Sequence, residues 1–274
     1  MPFRFRDRPV QSVASLLRHL QGDERRLSAD SKAAGKVVWY RGLRSRAHEL
    51  VPTFHVQRRD VSDEIHMMNL FKQNAHEFLE GQIPSSEWEW MFLMRHHGLP
   101  SRLLDWSENP LVGLYFATEP DRQIRNEDGA LWCLLPAQLN RWSLAWPDDT
   151  FALPMFTERE AEYSLGENET LRIYLPRGVR QARSSAEARP PAAAISIRTS
   201  KRIQAQLGVF TIHHADPRPL EHSGDQSHIW RFIIPAAQKA AIQTELRRIG
   251  ITELTIFPDL DHVAKEASAA LGGA

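Results

Sequence analysis

The chain has 274 residues, enough for one large domain or two small ones with a full core. Lys plus Arg and Asp plus Glu each number 34, a formal net charge of zero that argues against broad electrostatic capture of nucleic acid. One cysteine, Cys133, leaves no disulfide framework and no cysteine-based zinc site, and no apolar stretch has signal-peptide or membrane-span length, so a cytoplasmic protein with no membrane partner is expected.

Val13, Leu16, Leu17 and Leu20 recur at helical spacing behind Ser12, a suitable N-cap. After a polar break at Gly35, Val37 to Tyr40 is a short β-rich run that ends at Arg41-Gly42. The periodicity predicts a long helix over Asp60 to Leu79, with Gly81 as its stop. Ser85 or Ser86 caps a helix holding Trp88, Met91, Phe92 and Arg95. His96 and His97 fall in its last turn and Gly98 ends it. Asn109-Pro110 reads as a cap and first helical position for Leu111 to Ala117. Ala130 to Leu135 is strand-like.

Pro136 to Leu165 is irregular and suggests a structured lid, Leu171 to Leu175 a strand, and Gln181 to Pro191 a mobile loop. Val209 to His213 and Trp230 to Ile234 read as two strands joined in hairpin fashion. Ala236 to Arg248 reads as an amphipathic helix, Leu254 to Phe257 as a last buried strand, and Asp259 as the cap of a closing helix. With no internal repeat and no clean linker, one α+β domain with a mixed or antiparallel sheet is expected. Residues 1–36 form a helical segment packed on a main domain over 37–274, with inserted loops at 136–170 and 181–191.

Chemistry concentrates between Trp88 and Ala117. An arginine that follows a strand and precedes glycine, as Arg41 does before Gly42, can hold a phosphate or carboxylate bidentately, or can pair with a buried acid such as Asp105. Arg102 and Asp105 stand three apart around two leucines. A mutually satisfied ion pair is the plainer reading, and Asp105 orienting a histidine the alternative. Trp106 and Tyr40 could stack on a flat ligand or belong to the core. His96 and His97 diverge on a helix and cannot easily share a metal ion, so no metal site is expected. No GxxxxGK[ST], GxGxxG or GxSxG motif occurs, which leaves a conventional kinase, dehydrogenase or hydrolase without support.

Tyr40-Arg41-Gly42, the block His96-His97-Gly98-Leu99-Pro100-Ser101-Arg102-Leu103-Leu104-Asp105-Trp106-Ser107 and Asn109-Pro110-Leu111 together resemble the FRG domain family. Arg202 to Phe210, with Gln206 and Gly208, and Ile256 to Asp261 resemble later motifs of that family, so the likeness runs from about Val37 to Ala267. His96 and Ser101 replace the glutamine and threonine common in the family, and both keep a polar hydrogen-bonding group. A more distant likeness is to mono-ADP-ribosyltransferases, in which an arginine-glycine at a strand end holds the dinucleotide. In that comparison Ser101 or Ser107 stands for a small hydroxyl residue of a second strand, while glutamine stands where a late catalytic glutamate belongs.

The resemblance implies an ADP-ribosyltransferase-like α+β fold and a crevice lined by Arg41, His97, Arg102, Asp105 and Gln206. Its implied function is nucleotide-dependent modification of a macromolecule, with NAD as cofactor and the acceptor undetermined, in a toxin or phage-defence effector. Asp105, His97 and Gln206 are then the catalytic candidates, and Tyr40, Arg41, Gly42, Arg102 and Trp106 the cofactor-binding ones. Two other readings stand beside it: a non-catalytic module that binds a nucleotide or nucleic acid, and a structural interaction domain in which Arg41, Arg102 and Asp105 form a closed ion-pair network.

Overall fold

A computed structural model of the chain describes residues 3–29, 37–79, 83–121, 123–124, 126–144, 153, 171–175, 189–196, 198 and 200–271. The strands are β1 (Arg8–Pro9), β2 (Trp39–Leu43), β3 (Leu103–Ser107), β4 (Gly129–Leu134), β5 (Ala192–Ala194), β6 (Gly208–Ile212) and β7 (Ile229–Ile234). They form one mixed sheet in the order β1-β7-β4-β2-β3-β6-β5, with β1 parallel to β7 and every other pair antiparallel.

The helices begin with α1 (Val13–Ala29), α2 (Thr53–Val56), α3 (Val61–Ala75), α4 (Glu87–His96), α5 (Pro110–Thr118) and α6 (Pro136–Ser143). They continue with α7 (Lys201–Ala205), α8 (Lys239–Arg248), α9 (Glu253–Ile256) and α10 (Leu260–Leu271). The fold is α+β. Residues 3–29 are part of it, because β1 joins the sheet and α1 shares a core with α5, α8 and strands β4 and β7.

Local chemistry sets the ends of the site-bearing elements. Asp60 and Asp63 form a reciprocal capping box at the start of α3. The Ser86 hydroxyl accepts from the Glu89 amide at the start of α4, and Gly98, at φ 84°, follows the end of that helix. Asn109 caps α5 through the Leu111 amide, with Pro110 in the first turn.

Alternation along the strands separates the sheet's two faces. Leu104 and Trp106 of β3 pack with Trp39, Trp132 and Val209 on one face. Tyr40, Leu131 and Cys133 lie on the other, under α5. Leu103, Phe210 and Ile212 meet Trp88, Met91 and Met94 of α4 in a separate cluster. Because Tyr40 pairs with Ser107, and Ser107, Asp105 and Leu103 share one side of β3, the α4 and α5 clusters lie over the same face. A gap remains between them. Its floor is β2, β3 and β6.

Close approach of α5 to β2 depends on glycine. A Cβ on Gly42 would lie 2.0 Å from the Gly113 carbonyl oxygen and 2.4 Å from the Ala117 nitrogen.

Several sequence expectations require correction. Leu254 to Phe257 is not a strand; the reciprocal Thr252–Thr255 caps start a helix there, and a four-residue apolar run cannot distinguish the two. Leu171 to Leu175 holds a 3-10 turn at Arg172–Tyr174, which turns the Tyr174 carbonyl toward Arg102. The strands β6 and β7 form no hairpin, since three strands separate them in the sheet. Pro136 begins a helix, with proline in its first turn, where irregular chain is expected. The rest of that expected lid, apart from Leu144 and Leu153, and most of the 181–191 loop lie outside the described residues, as does Gly81. The predicted long helix from Asp60 runs as α3 to Ala75 and tightens to 3-10 over His76–Phe78.

Candidate functional site

The gap between α4 and α5 is a cavity of about 760 Å³. Tyr40, Arg41 and Gly42 of β2, Asp105 to Ser107 of β3, and Gly208 and Phe210 of β6 line its floor. Arg95 and His96 come from α4, Val112, Gly113 and Phe116 from α5, and Arg202, Ile203 and Gln206 from the α7 segment. Arg44, His48, Glu119 and Asp121 line it further along β2.

Asp105 is the central acid. Arg95 donates from Nε to its Oδ1 at 2.6 Å and from Nη2 to its Oδ2, a bidentate fork between a helix and a strand. Arg95 also donates to the buried Ser101 hydroxyl at 3.2 Å, which fixes the guanidinium plane. The Asp105 carboxylate is deep in the fold yet about half of its side chain, 48%, is open to the cavity. Burial alone would raise its carboxyl, but Arg95, by charge and hydrogen bond, and then Arg41 and Arg202 outweigh that and hold it below the usual carboxylate range. It is ionised at neutral pH. The same interactions hold Arg95 above the usual arginine range despite its burial.

Arg41 enters the cavity by an irregularity of the sheet. Alternation would send it to the opposite face from Asp105, but β2 and β3 share only the Tyr40–Ser107 register pair. Beyond that pair the strands part, and the Arg41 guanidinium enters the opening. Its Nη1 donates to the Asp105 carbonyl at 2.6 Å, and it stands 4.0 Å from the carboxylate. Its buried Nε has no partner among the described residues. Burial, with Arg95 adding to it and Asp105 opposing, pushes its pKa down to about 10, so the cation persists but is incompletely compensated.

Arg202 completes the group. Its guanidinium lies over the Phe257 ring, 4.8 Å from the centroid, and Gln206 Nε2 donates to the Ile256 carbonyl at 3.2 Å. The segment around α9 is thereby tied to the cavity rim. Ser107 donates to the Gln206 carbonyl at 2.6 Å, which fixes the turn into β6. The structure thus brings Tyr40, Arg41, Gly42, Asp105 and Gln206 to one cavity.

Three predicted site residues are placed otherwise. Arg102 does not pair with Asp105 and does not line the cavity. It is 1% exposed, with Nε on Glu64 at 2.7 Å, Nη1 on the His213 carbonyl at 3.1 Å and Nη2 on the Tyr174 carbonyl at 2.6 Å. His97 is exposed at the end of α4, its ring against Phe71 and His96, and it is His96 that lines the cavity. Burial, with help from His97 and Arg202, lowers the His96 pKa. The Trp106 ring points away from Asp105, as adjacent strand residues must, and its indole donates to Thr211 Oγ1 at 3.0 Å inside the opposite core. Trp106 borders the cavity floor, but it is 3% exposed and its ring is held in that core. Ser101 is likewise fully buried behind Arg95.

Arg95 and Glu64 are among the residues that sequence reasoning missed. Both are ionisable side chains on otherwise apolar helix stripes: Arg95 follows Trp88, Met91 and Phe92, and Glu64 stands between Val61 and Met68. That placement was the available signal.

Among the described residues, no group of three or more His, Cys, Asp and Glu could hold a metal ion, and no helix is long and apolar enough to cross a membrane. Residues 36–126 match the family model of the FRG domain. The matched stretch holds Tyr40-Arg41-Gly42 and the block from His96 to Leu111, while Arg202 to Phe210 and Ile256 to Asp261 lie beyond it. No curated protein and no solved structure matches the chain.

Proposed function

We propose, with residues 36–126 belonging to the FRG domain family, that the cavity binds a nucleotide through its diphosphate and uses it to modify a macromolecule. NAD is the first candidate, and a toxin or defence effector the setting that the family likeness suggests. One observation carries the reading: three guanidinium groups, of Arg41, Arg95 and Arg202, surround a single ionised carboxylate. That end of the cavity has an excess of positive charge in a partly desolvated place, which an anionic ligand would relieve. A diphosphate suits the planar guanidinium of Arg41, which lines the cavity. The cavity volume lies within the range of about 300–1,000 Å³ usual for small-molecule and cofactor sites.

In this reading Tyr40 and Phe116 flank the rings of the nucleotide, and Asp105 presents negative charge where the ribose becomes cationic as its glycosidic bond breaks. The Arg95 fork opposes that last role, because it neutralises much of the charge Asp105 could offer. The fork therefore favours one alternative, a recognition module that holds the nucleotide without turnover. The network of Arg41, Arg102 and Asp105 that the structural reading calls for is not formed, because Arg102 pairs with Glu64 away from the cavity.

The test is incubation with labelled NAD and cell lysate, followed by separation of protein and nucleic-acid fractions. Label transfer or nicotinamide release that disappears in folded Arg41→Ala and Asp105→Asn supports the enzyme. Binding without turnover supports the recognition module, and absence of binding to NAD or any other nucleotide overturns the proposal.

A further inference from the structure

We infer that Glu119 is the proton acceptor of this cavity, the residue that activates the group attacking the bound nucleotide. The inference rests on the nucleotide reading above and adds to it the acid that Asp105 cannot be.

The cavity has a second carboxylate-bearing end. Glu119 follows α5, which is seated on β2 through the Gly42–Gly113 contact, and it lines the cavity with Asp121 and His48. Arg44 serves both acids unequally. Its Nη1 is 2.9 Å from Asp121 and 3.8 Å from Glu119. Asp121 also accepts the Gln123 amide at 2.8 Å. Glu119 has no hydrogen bond among the described residues, and its side chain is 30% exposed. Its lone pairs are open to whatever enters.

Asp105 presents the opposite case, with both oxygens in the Arg95 fork and its proton affinity suppressed. A proton acceptor needs free lone pairs and an affinity near the working pH; Glu119 meets the first condition by geometry. For the second, its proton affinity is shifted in the required direction. Burial raises its pKa, Arg44 opposes this, and Glu253 and Asp121 raise it further. Two carboxylates in one cavity are pushed in opposite directions, the pattern expected when one stabilises charge and the other moves a proton.

Arg41 and Arg44 are three residues apart on and just past β2, so their Cα atoms stand about 10 Å apart in extended chain. A diphosphate at Arg41 thus leaves the Glu119 end for the attacking group. When water attacks ribose C1′, a C–O bond forms and the C1′–N bond breaks. The bonding pair goes to the nicotinamide nitrogen, and the water proton goes to Glu119 and then to solvent. An acceptor hydroxyl would follow the same course.

The experiment measures NAD binding by calorimetry and nicotinamide release across pH 5–9 for wild type, Glu119→Gln and Glu119→Asp. The expected result is NAD affinity within about twofold of wild type for both variants. Release should fall at least about 100-fold in Glu119→Gln and less in Glu119→Asp. The wild-type rate should rise with pH through the raised Glu119 pKa, above the ordinary carboxylate range, and that limb should vanish in Glu119→Gln. Among the described residues, Arg44, Asp121, Glu253, His48 and Tyr115 are charged or titratable groups at this end, so a limb retained in Glu119→Gln would assign the titration to another group and overturn the inference. Release by Glu119→Gln at the wild-type rate would also overturn it. Wild type that binds NAD and never releases nicotinamide overturns the Glu119 role while leaving nucleotide binding intact. Absence of NAD binding overturns both.

Discussion

Arg95 and Asp105 meet fork to fork across the floor of the cavity, Nε to Oδ1 at 2.6 Å and Nη2 to Oδ2. The pair joins α4 to β3, and so sets the spacing of the two layers between which the cavity opens. It also keeps a carboxylate ionised where two further arginines approach. The same contact therefore serves the architecture and fixes the sign of the field that a ligand meets.

The ion pair that matters most for stability lies elsewhere. Glu64 and Arg102 are both essentially without solvent, and Arg102 makes further hydrogen bonds to two backbone carbonyls. Glu64→Ala should cost about 3–5 kcal/mol through the uncompensated guanidinium left behind. Asp105→Asn should cost about 1–2 kcal/mol, because its side chain opens to the cavity and the amide oxygen still accepts. Urea unfolding of the two variants checks the order. A larger loss in Asp105→Asn would contradict it.

Gly42→Ala should disturb the floor of the cavity. The new methyl group would collide with backbone of α5 at Gly113 and Ala117, and backbone cannot swing aside as a side chain can. A loss of about 3 kcal/mol or more is expected, at the upper end of overpacking effects. A thermal melt equal to wild type would mean that α5 does not sit so closely on β2.

Acid should destabilise the protein through its buried histidines. Burial, with neighbouring positive groups, pushes the pKa of His213 to about 3 and that of His214 to about 4. Burial alone lowers His228 to about 4 against an opposing Asp225. The folded state holds these rings neutral, while the unfolded chain binds protons below about pH 6.5. Unfolding thus takes up protons between about pH 6.5 and 4, and stability falls as pH falls through that window, by up to about 1.4 kcal/mol per pH unit for each ring. Urea midpoints at pH 7 and pH 5 measure this, and His228→Gln should flatten the slope. Equal midpoints would refute it.

Salt and anions should act on the cavity itself. Because Arg41, Arg95 and Arg202 exceed the charge of Asp105, inorganic pyrophosphate should raise the melting temperature of wild type, by mass action on the folded state. Arg41→Ala should lose most of that rise. A rise of equal size in the variant would place the anion elsewhere.

Where one kind of physics decided the outcome, the sequence was a good guide. The periodicity from Asp60, the caps expected at Ser85 or Ser86 and at Asn109, and the break at Gly98 located the helices around the site, since those signals are local. The meeting of Arg41, Asp105 and Gln206 was also legible, carried by motif resemblance across long separations. Partner choice was not. Arg102 and Asp105 look like a pair in the chain, yet strand alternation and the fold give each an arginine or glutamate from a helix instead. The placement of the Trp106 ring in the opposite core was hidden for the same reason, because its neighbour Asp105 takes the cavity face. Leu254 to Phe257 and Leu171 to Leu175 were too short for periodicity to separate helix, turn and strand. The edge strands β1 and β5 carry Arg8-Pro9 and three alanines, which hold no strand signal of their own.

The central claim is that the arginine-lined end of the cavity holds a diphosphate. Calorimetric titration of the purified protein with ADP-ribose and with NAD tests it most directly, with Arg41→Ala as the matched control. Both ligands should bind wild type with one site per chain, and the loss of a charge-assisted contact worth about 1.5–3 kcal/mol should weaken each at least about tenfold in the folded variant. Absence of binding by wild type, or equal affinity in Arg41→Ala, would contradict the claim.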